Sequence, residues 1–422
     1  MLEMIRNYLK ITVKVLLRRK FYTFISLFGI AFTLVVLITA VALYENSYHP
    51  HRPESRSDRF LTLSRARYTS TKEPGREWSS NVGYKYLDRF ARNLPGAEAM
   101  TIHSGATRVV AFTNGKKLEI MIKYTDGAFW NVMDFQFVEG GPYREEDNAN
   151  KRMVAVINEA TRDRYFGRQG VVGETITVDG RTFKVLGVVR NVPEYRSFPY
   201  SDIWIPINAQ KSDLFRDLVL DDYYGTILAK TEADIPKIKA AIQASLSDVP
   251  LSRPEDYDTY ETYADTHLEA WAREWGPYSH YWREDAGVNR LLWMVAGLVL
   301  LFMLLPAINL ININISRIME RAPEIGVRKA FGATSSTLTI QFMIENLILT
   351  LLGGFLGLIG TWVVLAIINQ SGYMPYAELK LNFNVFLAAL GLSVVFGLFS
   401  GVYPAWRMSK THPAMALKGG GR

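Results

Sequence analysis

Four segments of this 422-residue chain are apolar over a length that can cross a lipid bilayer, and no other feature constrains its fold as strongly. They are residues 21–44, 291–316, 338–370 and 383–406. A helix needs about 20 predominantly apolar residues to span the hydrocarbon core of a membrane. The first segment contains no charged residue, and the third contains a single one, Glu345. The sequence therefore predicts four transmembrane helices, with a long mixed region between the first and the second.

Lysine and arginine residues flank these segments unevenly. They are frequent in residues 1–20, in the loop 317–337 and in the tail 407–422, whereas the short loop 371–382 contains only Lys380. Basic loops remain on the cytoplasmic side of a membrane. We therefore predict that both termini and the loop 317–337 are cytoplasmic, and that 45–290 and 371–382 lie outside. The net charge of +7 then reflects topology, and nucleic acid is not predicted as a partner.

Residues 1–20 have the pattern of an amphipathic helix. Ile5, Leu9 and Leu16 share one face at helical spacing, and Arg6 and Lys10 belong to the opposite face. Such a helix lies in the membrane interface with its basic side toward anionic lipid headgroups. A plain basic flank before the first span explains the same residues, and both alternatives stay open.

The region between the first two spans contains the same strand–helix order twice. Residues 59–65 alternate between apolar and polar as a half-buried strand does, and 84–94 follow with helical spacing. The order returns in 224–230 and 235–246. A split α/β unit in two pieces of sequence is therefore predicted.

Strand patterns fill the segment between these two pieces. They lie at 118–124, 154–157, 175–178, 182–189 and 203–206, and Asp179-Gly180 fits a two-residue hairpin turn. Residues 253–282 are rich in Tyr, Trp, Asp and Glu and are predicted to form a solvated loop or irregular cap. The predicted fold class is an α-helical membrane protein with four transmembrane helices and a large α+β extracytoplasmic domain inserted between the first and second spans.

Four stretches of the sequence resemble a known family. They read RIMERAPEIGVRKAFGATSSTLTIQFMIENLILTLLGGFLGLIG at 317–360, DGAFWNVMDFQFVEGGP at 126–142, VAVINEATRDRYFG at 154–167 and VGETITVDGRTFKVLGVV at 172–189. Their order resembles the permeases of MacB/FtsX-type (type VII) ABC transporters, which carry a MacB-like periplasmic core domain. The resemblance implies a multi-pass protein of the bacterial inner membrane, with a porter-like part at 45–105 and 222–288 and an inserted β-rich part at 106–221.

The loop 317–337 mixes apolar residues with charges, which a merely solvated linker does not need. In the family that it resembles, this segment is a cytoplasmic coupling helix on a separate ATPase. The resemblance therefore implies contacts to an ATPase from Glu320, Arg321, Glu324, Ile325, Gly326, Val327, Arg328, Lys329 and Phe331. An ordinary charged loop is the alternative.

Small and polar residues recur inside the predicted spans. The small ones are Gly353, Gly357, Gly360, Ser393, Gly397 and Gly401, and the polar ones include Glu345, Asn309 and Asn312. Small residues let helix backbones approach closely in lipid. The stripes therefore predict either a seam between two permease subunits or packing inside one subunit, while the polar side chains predict hydrogen bonding within the membrane.

The sequence contains none of the catalytic motifs that we sought. There is no G-x-x-x-x-G-K-[ST] phosphate loop, no H-E-x-x-H and no G-x-S-x-G. We therefore predict no catalysis, no metal site and no cofactor on this chain, with ATP and Mg²⁺ bound by a partner ATPase. The predicted function is a permease subunit that couples ATP hydrolysis on a separate chain to movement of its periplasmic domain, for export or efflux.

The partners implied are that ATPase, membrane lipids and a second permease subunit, either identical or similar. The resemblance leaves open whether a periplasmic adaptor and an outer-membrane channel complete the path, and which cargo is moved. Three alternative functions are a lipoprotein-extracting permease of the same architecture, a regulator of cell-wall hydrolases, and a membrane-anchored sensor or binding protein.

Overall fold

The computed structural model describes residues 20–113, 116–251, 253–276, 282–320, 327 and 335–409. The chain divides into two compact units. The helical unit takes its residues from Met1–Asn46, Leu292–Tyr373 and Glu378–Arg422. The α/β unit consists of Ser47–Leu291 with Met374–Ala377.

Helices occur in both units, and the four longest coincide with the predicted spans. In chain order they are α1 (Lys20–Tyr48), α2 (Tyr84–Tyr86, continued by a π-helical turn over Leu87–Ala91), α3 (Phe129–Val132), α4 (Glu145–Ala149), α5 (Glu159–Tyr165), α6 (Ile235–Ser245), α7 (His267–Glu274), α8 (Val288–Glu320), α9 (Ser335–Ser371) and α10 (Phe383–Ser409).

Strands lie in the α/β unit. They are β1 (Phe60–Thr69), β2 (Glu77–Val82), β3 (Ala97–Ser104), β4 (Thr107–Thr113), β5 (Lys116–Thr125), β6 (Phe137–Gly140), β7 (Val154–Asn158), β8 (Thr175–Val178), β9 (Arg181–Val189), β10 (Ile203–Pro206), β11 (Leu220–Asp221), β12 (Tyr223–Ala229) and β13 (Thr259–Asp265).

The helical unit is built from α1, α8, α9 and α10. Among the described residues, α1 and the Thr339–Ser371 part of α9 are long and apolar enough to cross a membrane, and α8 and α10 contain the shorter apolar helical segments Val288–Leu304 and Phe383–Phe399. The core of this unit includes Ile30, Leu34 and Ile38 of α1 and Phe386 of α10. The apolar helices agree with a membrane protein, while the count of four spans stays a prediction.

Six strands of the α/β unit close into a small barrel, in the order β4, β5, β10, β7, β9 and β8, with β8 returning to β4. Alternate residues of these strands point inward, as the pleat of a strand requires. Ile120 and Ile122 of β5 and Phe183 of β9 are among the buried residues of the barrel core. The hairpin predicted at Asp179-Gly180 is confirmed, because both residues have positive φ (50° and 72°) and Val178 pairs with Arg181.

Strand β6 pairs with β9 of the barrel, and the other six strands form an open sheet beside the barrel. Strand β12 pairs with β3 on one side and with the first half of β1 on the other. Strand β2 pairs with the second half of β1, on the same side of β1 as β12, and β11 pairs with β2. Strand β13 runs along the opposite side of β1. Helices α2 and α6 contribute Tyr86 and Ile238 to the core under this sheet. The two parts meet where His103 of β3 pairs with Thr125 of β5. The predicted strand–helix order is thus present in both pieces of the split unit.

The border of the inserted part differs from the expectation. Residues 106–221 were predicted to belong to the insertion, but Phe215, Val219 and Leu220 are buried in the core of the open sheet. Leu220 also pairs with Val82 of β2. The last barrel strand ends at Pro206. The error arises because an apolar run shows that a segment is buried without showing which of two neighbouring cores buries it.

The prediction of a solvated loop or irregular cap over 253–282 is wrong for most of its described residues. Thr259–Asp265 is strand β13, with Tyr260, Thr262 and Ala264 buried at alternate positions. Helix α7 follows directly. Its capping residue Thr266 accepts a hydrogen bond from the Glu269 amide, and the Glu269 carboxylate accepts one from the Thr266 amide. The prediction relied on the polar composition and overlooked two local signals: the alternation of buried residues in β13 and the T-x-x-E capping motif of α7.

Candidate functional site

Most of the loop predicted to contact an ATPase lies outside the described residues. This applies to Arg321, Glu324, Ile325, Gly326, Arg328, Lys329 and Phe331, and to the side chain of Glu320. Val327 is described, and it is helical and exposed. The coupling role of these residues therefore stays a prediction.

The glycine stripe of α9 lies against α1 of the same chain. A Cβ atom added at Gly353 would be 2.8 Å from Cγ2 of Ile30, and one added at Gly357 would be 2.9 Å from Cβ of Leu34. Gly360 approaches α1 just as closely. Because real Cβ atoms do not approach other atoms to such distances, these positions need glycine for the two helices to touch.

The small residues of α10 also make contacts inside the helical unit. A Cβ atom added at Gly397 would be 2.6 Å from Oγ1 of Thr350 in α9. Oγ of Ser393 donates a weak hydrogen bond to Sδ of Met303 in α8, at 4.0 Å. Gly401 lies in the last third of α10. These contacts support the alternative of packing within one subunit, and a seam between two subunits stays a prediction.

The polar residues predicted inside the spans have different surroundings. Glu345 is 2% exposed and accepts a hydrogen bond from Nε2 of Gln341, at 3.4 Å. Its neighbour Asn346 is also buried. Asn312 is exposed, and the side chain of Asn309 lies outside the described residues. Glu345 thus belongs to a buried polar group on α9.

The α/β unit contains a cavity of about 850 Å³ where the barrel meets the open sheet. Residues of β3, β5, β12 and α7 line it, together with the segments 47–54 and 194–200. The alternation of β5 explains how the barrel contributes, because Ile120 and Ile122 point into the barrel while Met121 and Lys123 line the cavity. Both parts of the α/β unit therefore supply its walls.

A buried ion pair closes one side of the cavity. Nη1 of Arg196 lies 2.9 Å from Oε2 of Glu54, and both side chains are at most 2% exposed. Arg196 also donates to the carbonyl oxygens of His49 and His51, at 2.9 Å and 3.3 Å. The other carboxylate oxygen of Glu54 is 3.9 Å from Nε2 of His267. Arg196 thus ties the segment 47–54 to the segment 194–200.

Lys123 is the one lysine among the described residues that line this cavity, and its side chain is buried. Its Nζ donates hydrogen bonds to the carbonyl oxygens of Ser197 and Phe198, at 2.8 Å and 2.5 Å. Burial lowers the pKa of Lys123 to about 7, although the charges of Glu54 and Asp222 act to raise it. Among the described residues, no carboxylate forms an ion pair with this ammonium group.

Two buried histidines also line the cavity. Burial, with a smaller contribution from the charge of Lys123, lowers the pKa of His103 to about 3, so this imidazole is neutral. Burial likewise lowers the pKa of His267, with Glu54 raising it and Arg196 lowering it. Neither ring nitrogen of His267 has a hydrogen-bond partner in the described part of the chain.

Aromatic rings form much of the remaining wall. The ring of His103 stacks on Tyr224 at 5.6 Å, and Tyr48 and Trp271 lie 6.3 Å apart. Tyr195 and Phe198 complete this group. Sequence reasoning singled out none of the cavity residues. The only signal in the sequence was a lysine inside the apolar alternation of β5, and nothing marked His267.

The comparisons with known proteins cover both units. A profile of the MacB-like periplasmic core domain matches residues 23–245, more than half of the chain, and a profile of the FtsX-like permease C-terminal domain matches residues 296–413. The uncharacterized ABC transporter permease YknZ of Bacillus subtilis is 23% identical over 335 residues, which are 79% of each chain.

Relatives with an ATP-binding part are matched over less of their length. The macrolide export ATP-binding/permease protein MacB of Pasteurella multocida is 22% identical over 94% of this chain and 58% of its own. The pyoverdine export ATP-binding/permease protein PvdT of Pseudomonas syringae is 26% identical over 69% of this chain and 42% of its own. This chain therefore spans about half the length of these two relatives.

Two solved structures match about half of this chain. The extracellular domain of YknZ from Gram-positive bacteria is 14% identical and covers 48% of this chain, with a TM-score of 0.36. The periplasmic region of MacB from Actinobacillus actinomycetemcomitans is 11% identical and covers 52%, also with a TM-score of 0.36. On the strength of the two profile matches, the chain belongs to the ABC transporter permeases that join a MacB-like periplasmic core domain to an FtsX-like permease domain.

Proposed function

We propose that this chain is a non-catalytic permease subunit that couples ATP hydrolysis on a separate polypeptide to movement of its α/β unit. The observation that carries the proposal is the presence of both family domains in one chain whose printed sequence has no phosphate-binding loop. The match to a relative named only a permease, over 79% of its length, supports a separate ATPase.

In this proposal α1, α8, α9 and α10 cross the inner membrane, with both termini and the loop 317–337 in the cytoplasm. The ATPase binds ATP and Mg²⁺ and contacts that loop. Two permease subunits, identical or similar, form the functional unit. When the ATPases close, the spans tilt and the two α/β units move against each other outside the membrane. This movement drives export of a cargo, and the names of the relatives favour export over lipoprotein extraction.

The experiment that tests this proposal measures ATP hydrolysis in two preparations of the tagged full-length chain. Chain expressed alone in a foreign host and purified in detergent is expected to hydrolyse no ATP above a mock preparation. Chain purified from its native membranes is expected to carry an ATPase of separate polypeptide identity, visible by mass spectrometry. Hydrolysis by the chain alone would contradict the proposal, as would native chain with no associated ATPase.

A membrane-anchored binding protein is the second candidate, and the cavity of the α/β unit is the observation that favours it. A protein of that kind has no need of an ATPase. The native purification therefore separates the two candidates, because only the permease is expected to bring an ATPase with it.

A further inference from the structure

Within the described part of the chain, the cavity of the α/β unit combines an ammonium group without an ion pair and an imidazole without a hydrogen bond. A charged lysine carries three N–H donors. Two of those on Lys123 are used by the carbonyl oxygens of Ser197 and Phe198. A neutral amine would satisfy the same two carbonyls with its two N–H bonds, so the third donor serves no other described residue. Buried charges are normally paired, and this donor is therefore available to an anion.

The charges deep in the cavity are predominantly positive. Glu54 is the buried carboxylate there, and it already pairs with Arg196 at 2.9 Å. Lys123 and His267 face the same carboxylate without a direct hydrogen bond to it. Protonation of Lys123 therefore leaves a positive charge that forms no ion pair with a described carboxylate, whereas a protonated His267 would share Glu54 with Arg196, at 3.9 Å from Oε1. A ligand that brings one negative charge would balance it.

The carboxylates at the mouth form no ion pair with Lys123 among the described residues, although the charge of Asp222 acts on it. Glu194 and Glu274 are exposed to solvent, where water screens their charge. Asp222 is exposed as well and accepts a hydrogen bond from Nδ2 of Asn81, at 2.6 Å. The inner end of the cavity is thus cationic, and its outer end is acidic and hydrated.

The walls between these ends are aromatic. Tyr48, Tyr195, Phe198, Tyr224 and Trp271 present ring surfaces to a space of about 850 Å³. Small-molecule sites in proteins typically enclose about 300–1,000 Å³, with apolar walls and a few polar groups that fix orientation. The cavity therefore fits a molecule with an extended apolar body and one charged end.

We propose that this cavity binds an amphiphilic anion, whose single carboxylate or phosphate group contacts Lys123 and His267 while its apolar body packs on Tyr48, Tyr195 and Trp271. The head group accepts the third N–H of Lys123 and one N–H of His267. The proposal does not depend on transport, because it concerns only binding to the α/β unit.

The test measures binding of hexyl phosphate to the full chain in neutral-lipid nanodiscs by isothermal titration calorimetry, with empty nanodiscs subtracted. We expect one molecule bound per chain, and hexanoate is expected to compete. Inorganic phosphate is expected to bind at least about tenfold more weakly, because it lacks the apolar body. If inorganic phosphate binds as tightly as hexyl phosphate, the cavity is a site for free anions, and the proposal of an amphiphilic ligand is wrong. If hexyltrimethylammonium binds more tightly than hexyl phosphate, the proposal that the ligand is an anion is wrong.

Variants locate the site. Lys123→Met is expected to weaken binding of hexyl phosphate at least about tenfold, in line with the loss of a charge-assisted hydrogen bond. His267→Phe is expected to weaken it several-fold, and it keeps the test decisive if Lys123→Met does not fold, as judged by gel filtration. Lys117→Met is the matched control, since Lys117 lies on the same strand with its side chain 59% exposed. Unchanged binding in folded Lys123→Met or in His267→Phe would overturn the proposed site, as would an equal loss of binding in Lys117→Met.

Discussion

Single buried residues determine how the folding of the α/β unit depends on pH, and Lys123 is the clearest case. Its ammonium group is held by two backbone carbonyls inside the protein, yet it has no described anionic partner. Burial disfavours its charged form, and for this reason its pKa is about 7. Glu54 and Asp222 oppose that shift, while neighbouring His103 is neutral and contributes no charge. The folding of the unit should therefore depend on pH in a direction opposite to that of a paired lysine.

The first prediction concerns this pH dependence. Between pH 7 and about 10.4 the unfolded state keeps a proton on Lys123 that the folded state has released. The unfolded state thus binds more protons, so the free energy of unfolding rises as pH rises through this window. Each pKa unit of difference corresponds to about 1.4 kcal/mol. We expect the melting temperature of the purified chain, measured from pH 6.5 to 9, to rise relative to that of Lys123→Met.

Lys117→Met provides the control for this prediction, because the side chain of Lys117 is largely exposed on the same strand. It should keep the pH dependence of the wild type. A parallel course of the wild-type and Lys123→Met curves over the whole range would show that Lys123 does not lose its proton near neutrality.

The second prediction, also for a single residue, concerns the coupling loop. If Ile325 is an apolar anchor on the ATPase, Ile325→Asp places an unpaired charge in that contact and costs on the order of 2 kcal/mol or more of binding free energy. The ATPase should then be absent from the purified complex, while the permease still folds. If Lys329 belongs to the exposed rim of that contact, Lys329→Ala should cost roughly 0–1 kcal/mol. If the ATPase still co-purifies with Ile325→Asp, the loop is only a linker and does not anchor the ATPase.

At the scale of elements, the close contact of α1 with α9 is the feature with the sharpest consequence. Gly357 meets Leu34 where no larger residue fits without movement. By contrast, Gly391 of α10 has nothing within 4 Å of an added Cβ atom. The two glycines therefore offer a matched pair, one needed for packing and one not.

The third prediction uses that pair. Gly357→Ala should lower the melting temperature of the detergent-purified chain, because α1 must move away from α9. Gly391→Ala should leave the temperature unchanged or raise it, since alanine favours the helix by about 1 kcal/mol relative to glycine. The second substitution Leu34→Ala should partly rescue Gly357→Ala. If Gly357→Ala changes only the oligomeric state in gel filtration, the stripe belongs to a subunit interface instead.

Elements also show what sequence patterns can and cannot predict. Five of the six barrel strands were predicted to within two residues at each end, since β-branched alternation and the Asp179-Gly180 turn are local signals, whereas β4 was not predicted. Strand β13 was missed because its alternating Tyr, Thr and Ala residues lie among acids and aromatics. The cavity was missed entirely, since Lys123 and His267 come together only through tertiary packing. Periodicity reports which face is buried, but not what lies opposite it.

At the scale of the whole molecule, the fourth prediction tests the membrane topology. The chain contains no cysteine, so single cysteines report their own location. An impermeant thiol reagent added to spheroplasts should label a cysteine at position 180, in the barrel hairpin, and should not label one at position 326. Both should be labelled after the membrane is permeabilised. The reverse pattern in intact spheroplasts would place the α/β unit in the cytoplasm.

The barrel enters and leaves the open sheet at neighbouring points. β3 and β12 are antiparallel partners, and Ser104 at the end of β3 pairs with Tyr223 at the start of β12. The barrel thus stands where an ordinary hairpin would have its turn. Because the cost of closing a loop grows only with the logarithm of its length, a folded body can occupy that place without disturbing the register of the pair. The sheet could therefore carry a barrel of another size, or with other loops, and still keep the pairing of β3 with β12.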